Sequence, residues 1–285
     1  MRAFTYERPE RLADALALLS GDEGESRPLA GGTDLIIRIR DGSVRPTTVV
    51  DVKGITEFTR EIRAEDGWLR IGAGTTMTDL LRDDRIRRDY TALAEAAAYV
   101  GSVQIRNRAT LAGNICNASP AADTAPALLV YGARVVAVGQ GGRRMIPLDD
   151  FFVRSGVTTL QPGELVERIE VPLPAGRRSG VHARRTRRRG HDLASVTLAV
   201  AIDADSTTRV SYGSVGPRPV VMADASGVLA DPAASDDAKR ARLDELFVDA
   251  SPSKTSMRAS PEYRLAMLRV MGLRAVHSAI ERLTA

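Results

Sequence analysis

The spacing of apolar positions changes from block to block along the chain, and each change predicts a new element. Leu12, Ala15, Leu16 and Leu19 recur at helical spacing between Pro9 and Gly21, which predicts a first helix. "RPLA" (27–30) reads as a short strand running into Gly31 and Gly32, and "TTVVDV" (47–52) as a β-branched strand. Between them, "DLIIRIRDG" fits either a short helix or an extended segment. "GWLRIGAG" (67–74) predicts a strand with a helix after it from about Thr76 to Leu81, and the alanine-rich "YTALAEAAAYV" (90–100) predicts another helix. "TAPALLVYGA" reads as helical, "RVVAVGQGGRRMIPL" as a hairpin round a Gly-rich turn, and "ELVERIEVPLP" as a strand ending at Pro172 and Pro174. Beyond a basic run, "SVTLAVAI" (195–202) alternates as a strand does, with "TRVSYGSVG" as its antiparallel neighbour. "DDAKRARLDELF" and "SPEYRLAMLRVMGLRAVHSAIERL" predict two helices, the second capped by Ser260 and opened by Pro261. Its Tyr263, Leu265, Met267, Leu268 and Met271 read as a core-facing stripe.

One stretch fits neither period. "TLAGNICNASPAAD" (110–123) carries almost no long side chain, which implies that something comes very close to its backbone. "AGGTD" (30–34) has the same character directly after a predicted strand. Consecutive amides in such turns form anion-binding nests, so two turns could hold the two phosphates of one ligand. Thr110 and Asn114 add hydrogen-bonding groups, whereas Asp123 would repel a phosphate and suits a sugar hydroxyl. A Gly-Gly pair after a strand, taken alone, is usually only a tight turn. "GAGTTM" (72–77) begins like a dinucleotide fingerprint but lacks its third glycine.

Composition narrows the classes. The 285 residues suggest two domains, and with 44% hydrophobic and 27% charged residues the chain resembles an ordinary globular protein. There is no run of about 20 apolar residues and no signal core, so no membrane span is expected and a cytoplasmic location is. Cys116 is the sole cysteine, too few for a disulfide within the chain or a thiolate-bound iron–sulfur cluster. His182, His191 and His277 lack metal-site spacing, so no metal site is expected. A net charge of +4 and 4% aromatics argue against nucleic-acid binding. No nucleophile–base pair or paired carboxylates stand out, so no catalytic residue is assigned, as expected where a cofactor carries the chemistry.

"AGGTDL", "GSVQIRNRATLAGNICNASPAADTAPALL" (101–129) and "MRASPEYR" (257–264), in that order, resemble the FAD-binding subunit of molybdenum hydroxylases, the family of bacterial xanthine dehydrogenases and aerobic carbon monoxide dehydrogenases. The resemblance implies an α+β fold: a two-lobed FAD-binding domain of the vanillyl-alcohol-oxidase/PCMH type, then a small domain with an antiparallel sheet and helices. The corresponding ranges are 1–175, with lobes of about 1–53 and 54–175, and 176–285. It implies noncovalent FAD lined by Ala30, Gly31, Gly32, Thr33 and Asp34, and by Thr110, Ala112, Gly113 and Asn114. Asp123 matches the acidic residue that binds FAD hydroxyls, and Arg184 falls near a family lysine beside the flavin. Ala112 departs from the usual glycine. The basic run Arg184, Arg185, Arg187, Arg188 and Arg189 reads as a solvated face or the start of an edge strand, or else as a flavin contact or a dock for an acidic partner. The resemblance further implies partner subunits carrying the molybdenum cofactor and [2Fe-2S] clusters, with electrons leaving to NAD or another acceptor. The alternatives are a self-contained FAD-dependent oxidase or dehydrogenase and a non-catalytic nucleotide-binding scaffold.

Overall fold

The computed structural model describes residues 2–21, 25–188, 190 and 192–284. Its first unit runs β1 (Thr5–Glu7), α1 (Leu12–Ser20), β2 (Ser26–Leu29), α2 (Leu35–Arg40) and β3 (Thr48–Asp51). The three strands form a parallel sheet in the order β1-β3-β2. The apolar stripe of α1, Leu12, Ala15, Leu16 and Leu19, is buried, and Gly21 follows the helix. "DLIIRIRDG" resolves in favour of helix, as α2.

The second unit holds β4 (Ile62–Glu65), β5 (Trp68–Gly72), α3 (Met77–Arg82), α4 (Asp84–Asp89), α5 (Thr91–Tyr99), α6 (Val103–Arg106), α7 (Leu111–Cys116) and α8 (Thr124–Leu129). It continues through β6 (Arg134–Gly139), β7 (Gly142–Pro147), α9 (Leu148–Phe151), β8 (Phe152–Arg154), β9 (Val157–Thr158) and β10 (Leu165–Pro172). β4-β5-β10-β6-β7 make an antiparallel five-stranded sheet. The helices between β5 and β6 cover it, and one apolar core joins Leu69, Ile71, Leu93, Leu128 and Ile169 to the Leu12 and Leu16 stripe of α1. A reciprocal capping box starts α3: Thr76 accepts from the Asp79 amide and Asp79 accepts from the Thr76 amide.

The third unit is β11 (Arg178–Arg185), β12 (Val196–Asp203), β13 (Thr208–Gly213) and β14 (Val220–Asp224), an antiparallel sheet in chain order, followed by α10 (Asp236–Leu246) and α11 (Pro261–Thr284). Ser260 Oγ accepts from the Tyr263 amide at 3.2 Å, the cap its sequence suggests. Strand alternation gives this sheet two unlike faces. Val181, Val196, Leu198, Val200, Ile202, Val210 and Tyr212 pack against Leu243, Leu268 and Val276 of the helices. The opposite face carries Gly180, His182, Arg184, Thr197, Ala199, Ala201, Ser211 and Gly213, and meets α5 and α8 of the second unit. Buried Arg264 of α11 donates to the carbonyls of Ser195 (3.0 Å) and Ser214 (2.5 Å), tying the start of that helix to the sheet. Among the described residues no helix is long and apolar enough to cross a membrane.

Candidate functional site

The two glycine turns lie against each other. A Cβ on Gly31 would stand 2.1 Å from the carbonyl oxygen of Arg108 and 3.0 Å from the Ala109 Cα. The near-absence of side chains that marks both stretches is therefore explained first by chain packing on chain. Gly113 is tight for a local reason, its absent Cβ lying 2.9 Å from Thr110 Oγ1 and 4.0 Å from the Ala30 methyl. Gly32 has φ +76°, a conformation that favours glycine, and it turns the backbone into α2. The amides of Gly31, Gly32 and Thr33 make no hydrogen bond within the described residues. Asp34 precedes α2 with an exposed side chain that caps nothing. Its carboxylate does not suit a phosphate, so only its backbone belongs with the nest.

The second turn opens α7. Thr110 Oγ1 accepts from the Gly113 amide at 3.1 Å, and the Asn114 amide donates to the Thr110 carbonyl. The Ala112 amide is left without a partner among the described residues. Ala112 is helical and absent from the positive-φ residues, so its methyl costs no strain where glycine is usual. The "GAGTTM" segment fastens this turn: Met77 N donates to Ala109 O and Leu111 N to Thr75 O, both at 3.0 Å. Asn114 Oδ1 accepts from Thr124 Oγ1 at 2.5 Å, which links the turn to the start of α8 and so to Asp123.

Asp123 is buried, yet its Oδ1 has no hydrogen bond. Its Oδ2 lies 3.3 Å from Arg184 Nη1, and Oδ1 lies 3.4 Å from His182 Nε2. Arg184 is therefore no solvated charge. Its guanidinium also donates to the carbonyls of Tyr99 and Asp192 and stands 5.1 Å above the Tyr99 ring. The rest of the described basic run departs from it. Arg185 bonds the Tyr263 hydroxyl at 2.9 Å, while Arg187 and Arg188 are exposed. Arg189 and His191 lie outside the described residues. His277 is on α11, 2.8 Å from Asp236. Burial pushes the thiol of Cys116, the last residue of α7, up to about 12, which leaves it as packing at the end of that helix.

The structure thus brings the 30–34 and 110–114 turns together and joins Asp123 to Arg184. It adds two buried groups that sequence reasoning did not single out, His182 and Thr197, both with polar atoms lacking a partner. Chemically, the set offers free backbone amides for an anion and a carboxylate with an unpartnered oxygen for a hydroxyl, which is the donor and acceptor set a dinucleotide of the FAD kind requires.

Comparison with known proteins places two families along the chain. Residues 2–174 match the FAD binding domain in molybdopterin dehydrogenase, and residues 182–279 match the CO dehydrogenase flavoprotein C-terminal domain. The xanthine dehydrogenase FAD-binding subunit of Escherichia coli O157:H7 is 31% identical over 281 residues, covering 97% of this chain and 96% of its own. The glyceraldehyde dehydrogenase medium chain of Sulfolobus acidocaldarius is 30% identical over 275 residues, covering 95% and 96%. Among solved structures, a carbon monoxide dehydrogenase chain from Hydrogenophaga pseudoflava superposes with a TM-score of 0.90 at 29% identity, covering 99% of both chains.

Proposed function

The chain belongs to the FAD-binding medium subunits of the molybdenum hydroxylases, and from that premise we propose that it is the electron-exit subunit of a multi-subunit dehydrogenase of the xanthine type. It receives electrons from an iron–sulfur partner, itself reduced by a molybdenum-cofactor subunit that meets the substrate, and delivers them to NAD or another acceptor in the cytoplasm. The names of its relatives support this, since they are a "FAD-binding subunit" and a "medium chain", parts of larger assemblies. Residues 1–175 hold FAD and residues 176–285 close over it.

The observation that carries the site reading is the contact between the two glycine turns. It supports the reading that the unpaired amides of residues 31–33 and that of Ala112 serve a single diphosphate. The Asp123 carboxylate accepts a hydroxyl of the ligand, and Arg184 holds it at Oδ2. Arg184 also keeps a positive charge within this region, as the family lysine would, though by a planar fork with other geometry. Bound FAD supplies the one- and two-electron exchange that no side chain here offers.

Purified alone, the protein should bind FAD and release it into the supernatant on acid precipitation. It should oxidise NADH slowly toward an artificial acceptor and hydroxylate no purine or other heterocycle until iron–sulfur and molybdenum subunits are added. Turnover of xanthine by the isolated chain would refute the subunit reading in favour of a self-contained flavoenzyme.

A further inference from the structure

His182 occupies a position that packing alone does not account for. Its side chain is completely buried on the small face of the C-terminal sheet, tilted against the Tyr99 ring at 5.8 Å. Neither ring nitrogen has a hydrogen bond. A phenylalanine would fill the same space without leaving two polar atoms unpaired, and each such atom costs on the order of 1–3 kcal/mol. The backbone is already pinned by other groups: Glu95 Oε2 accepts from the His182 amide at 2.8 Å, and Glu95 Oε1 pairs with Arg282 at 2.6 Å. The imidazole is not needed to hold the strand.

The ring faces Asp123 Oδ1, 3.4 Å from Nε2 and itself without a partner. Arg184 Nε, two residues along β11, and Thr197 Oγ1, paired opposite Arg184 in the register, are unpartnered too. Unsatisfied buried atoms gathered in one place mark a constellation completed by something else. Hydrogen bonds of this kind are commonly long before a ligand arrives and tighten when it binds.

We propose that His182 is a positioning residue for FAD, acting through Asp123. Its Nε2–H donates to Oδ1 once a ligand hydroxyl draws the carboxylate into place, so that Asp123 is held by Arg184 on one oxygen and by His182 on the other. Each carboxylate oxygen keeps a lone pair for the ligand. The His182 side chain is completely buried while the Asp123 side chain keeps 10% of its surface exposed, so FAD meets the carboxylate and not the ring. The inference rests on the reading of Asp123 as a hydroxyl-binding residue given above.

Three variants of the full chain separate this from a structural role, with FAD affinity read from quenching of flavin fluorescence and folding from the melting temperature. His182→Phe keeps a planar ring, slightly larger than imidazole, and removes the donor. It should weaken FAD at least about tenfold, the scale of a lost hydrogen bond to a charged group, while the melting temperature holds or rises. His182→Gln puts an amide nitrogen at the Nε2 position and should stay within about threefold of the parent. His182→Asn puts it at the Nδ1 position and should behave as Phe does. Combining His182→Phe with Asp123→Asn should add little to Asp123→Asn alone, since both act on one contact. Parental affinity in His182→Phe, or Gln as weak as Phe, overturns the inference and leaves the FAD reading intact. A parent chain that takes up no FAD, or an Asp123→Asn variant with parental affinity, overturns the reading of the site itself.

Discussion

The two faces of the C-terminal sheet come from the same strands and obey opposite rules. One face is bulky: Leu198, Val200, Ile202, Val210 and Tyr212 fill the space under α11 as an ordinary core does. The other, where it meets α5 and α8, has been pared down to Gly180, Ala199, Ala201, Ser211 and Gly213, with His182, Arg184 and Thr197 among its polar members. The reason is visible at Gly180, where a Cβ would sit 1.9 Å from the Tyr131 hydroxyl oxygen and 3.2 Å from the Ala92 amide nitrogen. At Gly213 it would meet Thr197 Oγ1 at 2.5 Å and the Pro120 carbonyl at 2.7 Å. Small residues here measure how near another part of the chain comes, as Gly31 does against Arg108 and Ala109. On the bulky face stability comes from area removed from water; on the small face it comes from shape and from a few polar contacts.

Substitutions can break or sharpen that contrast. The largest effect is expected from Gly180→Val, which drives a branched side chain into Tyr131 and should cost more than about 4 kcal/mol, an exceptional value for one residue. Its measure is the fraction of soluble, cooperatively unfolding protein. On the other face Leu198→Ala should cost about 3 kcal/mol by opening a cavity, seen in denaturant unfolding, with FAD affinity unchanged in the folded protein. Thr197→Val comes next. Its hydroxyl has no partner, so the isosteric change should move stability by less than about 1 kcal/mol in either direction. If Thr197→Val proves as costly as Leu198→Ala, the small face is a buried polar core and the contrast fails. The smallest effect is expected at Cys116. With its thiol pushed up to about 12 by burial, native protein should resist alkylation at pH 8 and label fully in guanidinium. Rapid native labelling would mean that space beside α7 is open.

Elements with many periodic positions could be read directly. α1, α5, β12 and β13 follow their hydrophobic pattern, because there the pattern and the burial are the same fact stated twice. Of the five residues read as the core stripe of α11 only Leu268 is buried and Tyr263 is exposed, the buried face continuing instead through Leu273, Ala275, Val276 and Ala279. β1, β4, α4, α6, β8 and β9 are six residues long or shorter, and no period can be counted in them. α7 was hidden for another reason. Gly113 and Asn114 disfavour helix, and the turn forms because Thr110 caps it and Thr75 and Met77 fasten it from elsewhere in the chain. β11 was masked by its charges, since nothing local says that Arg184 is buried against Asp123, 61 positions earlier, while Arg185 faces Tyr263. The small-residue stretches announced a close approach. What approached Gly31 was the second turn, and a sequence does not name the neighbour. His182 carried no signal at all, as a single histidine in an alternating strand reads the same whether or not it faces a carboxylate.

The fit of Gly31 onto Arg108 and Ala109 has a consequence for timing. The turns meet through the protein's own backbone, so the entropy of bringing distant segments together is lost when the chain folds and not when a cofactor arrives. On the FAD reading proposed above, the amides are set in place before the cofactor arrives. Uptake should then be a single encounter with a finished surface, its rate proportional to the concentration of free FAD and without a lag.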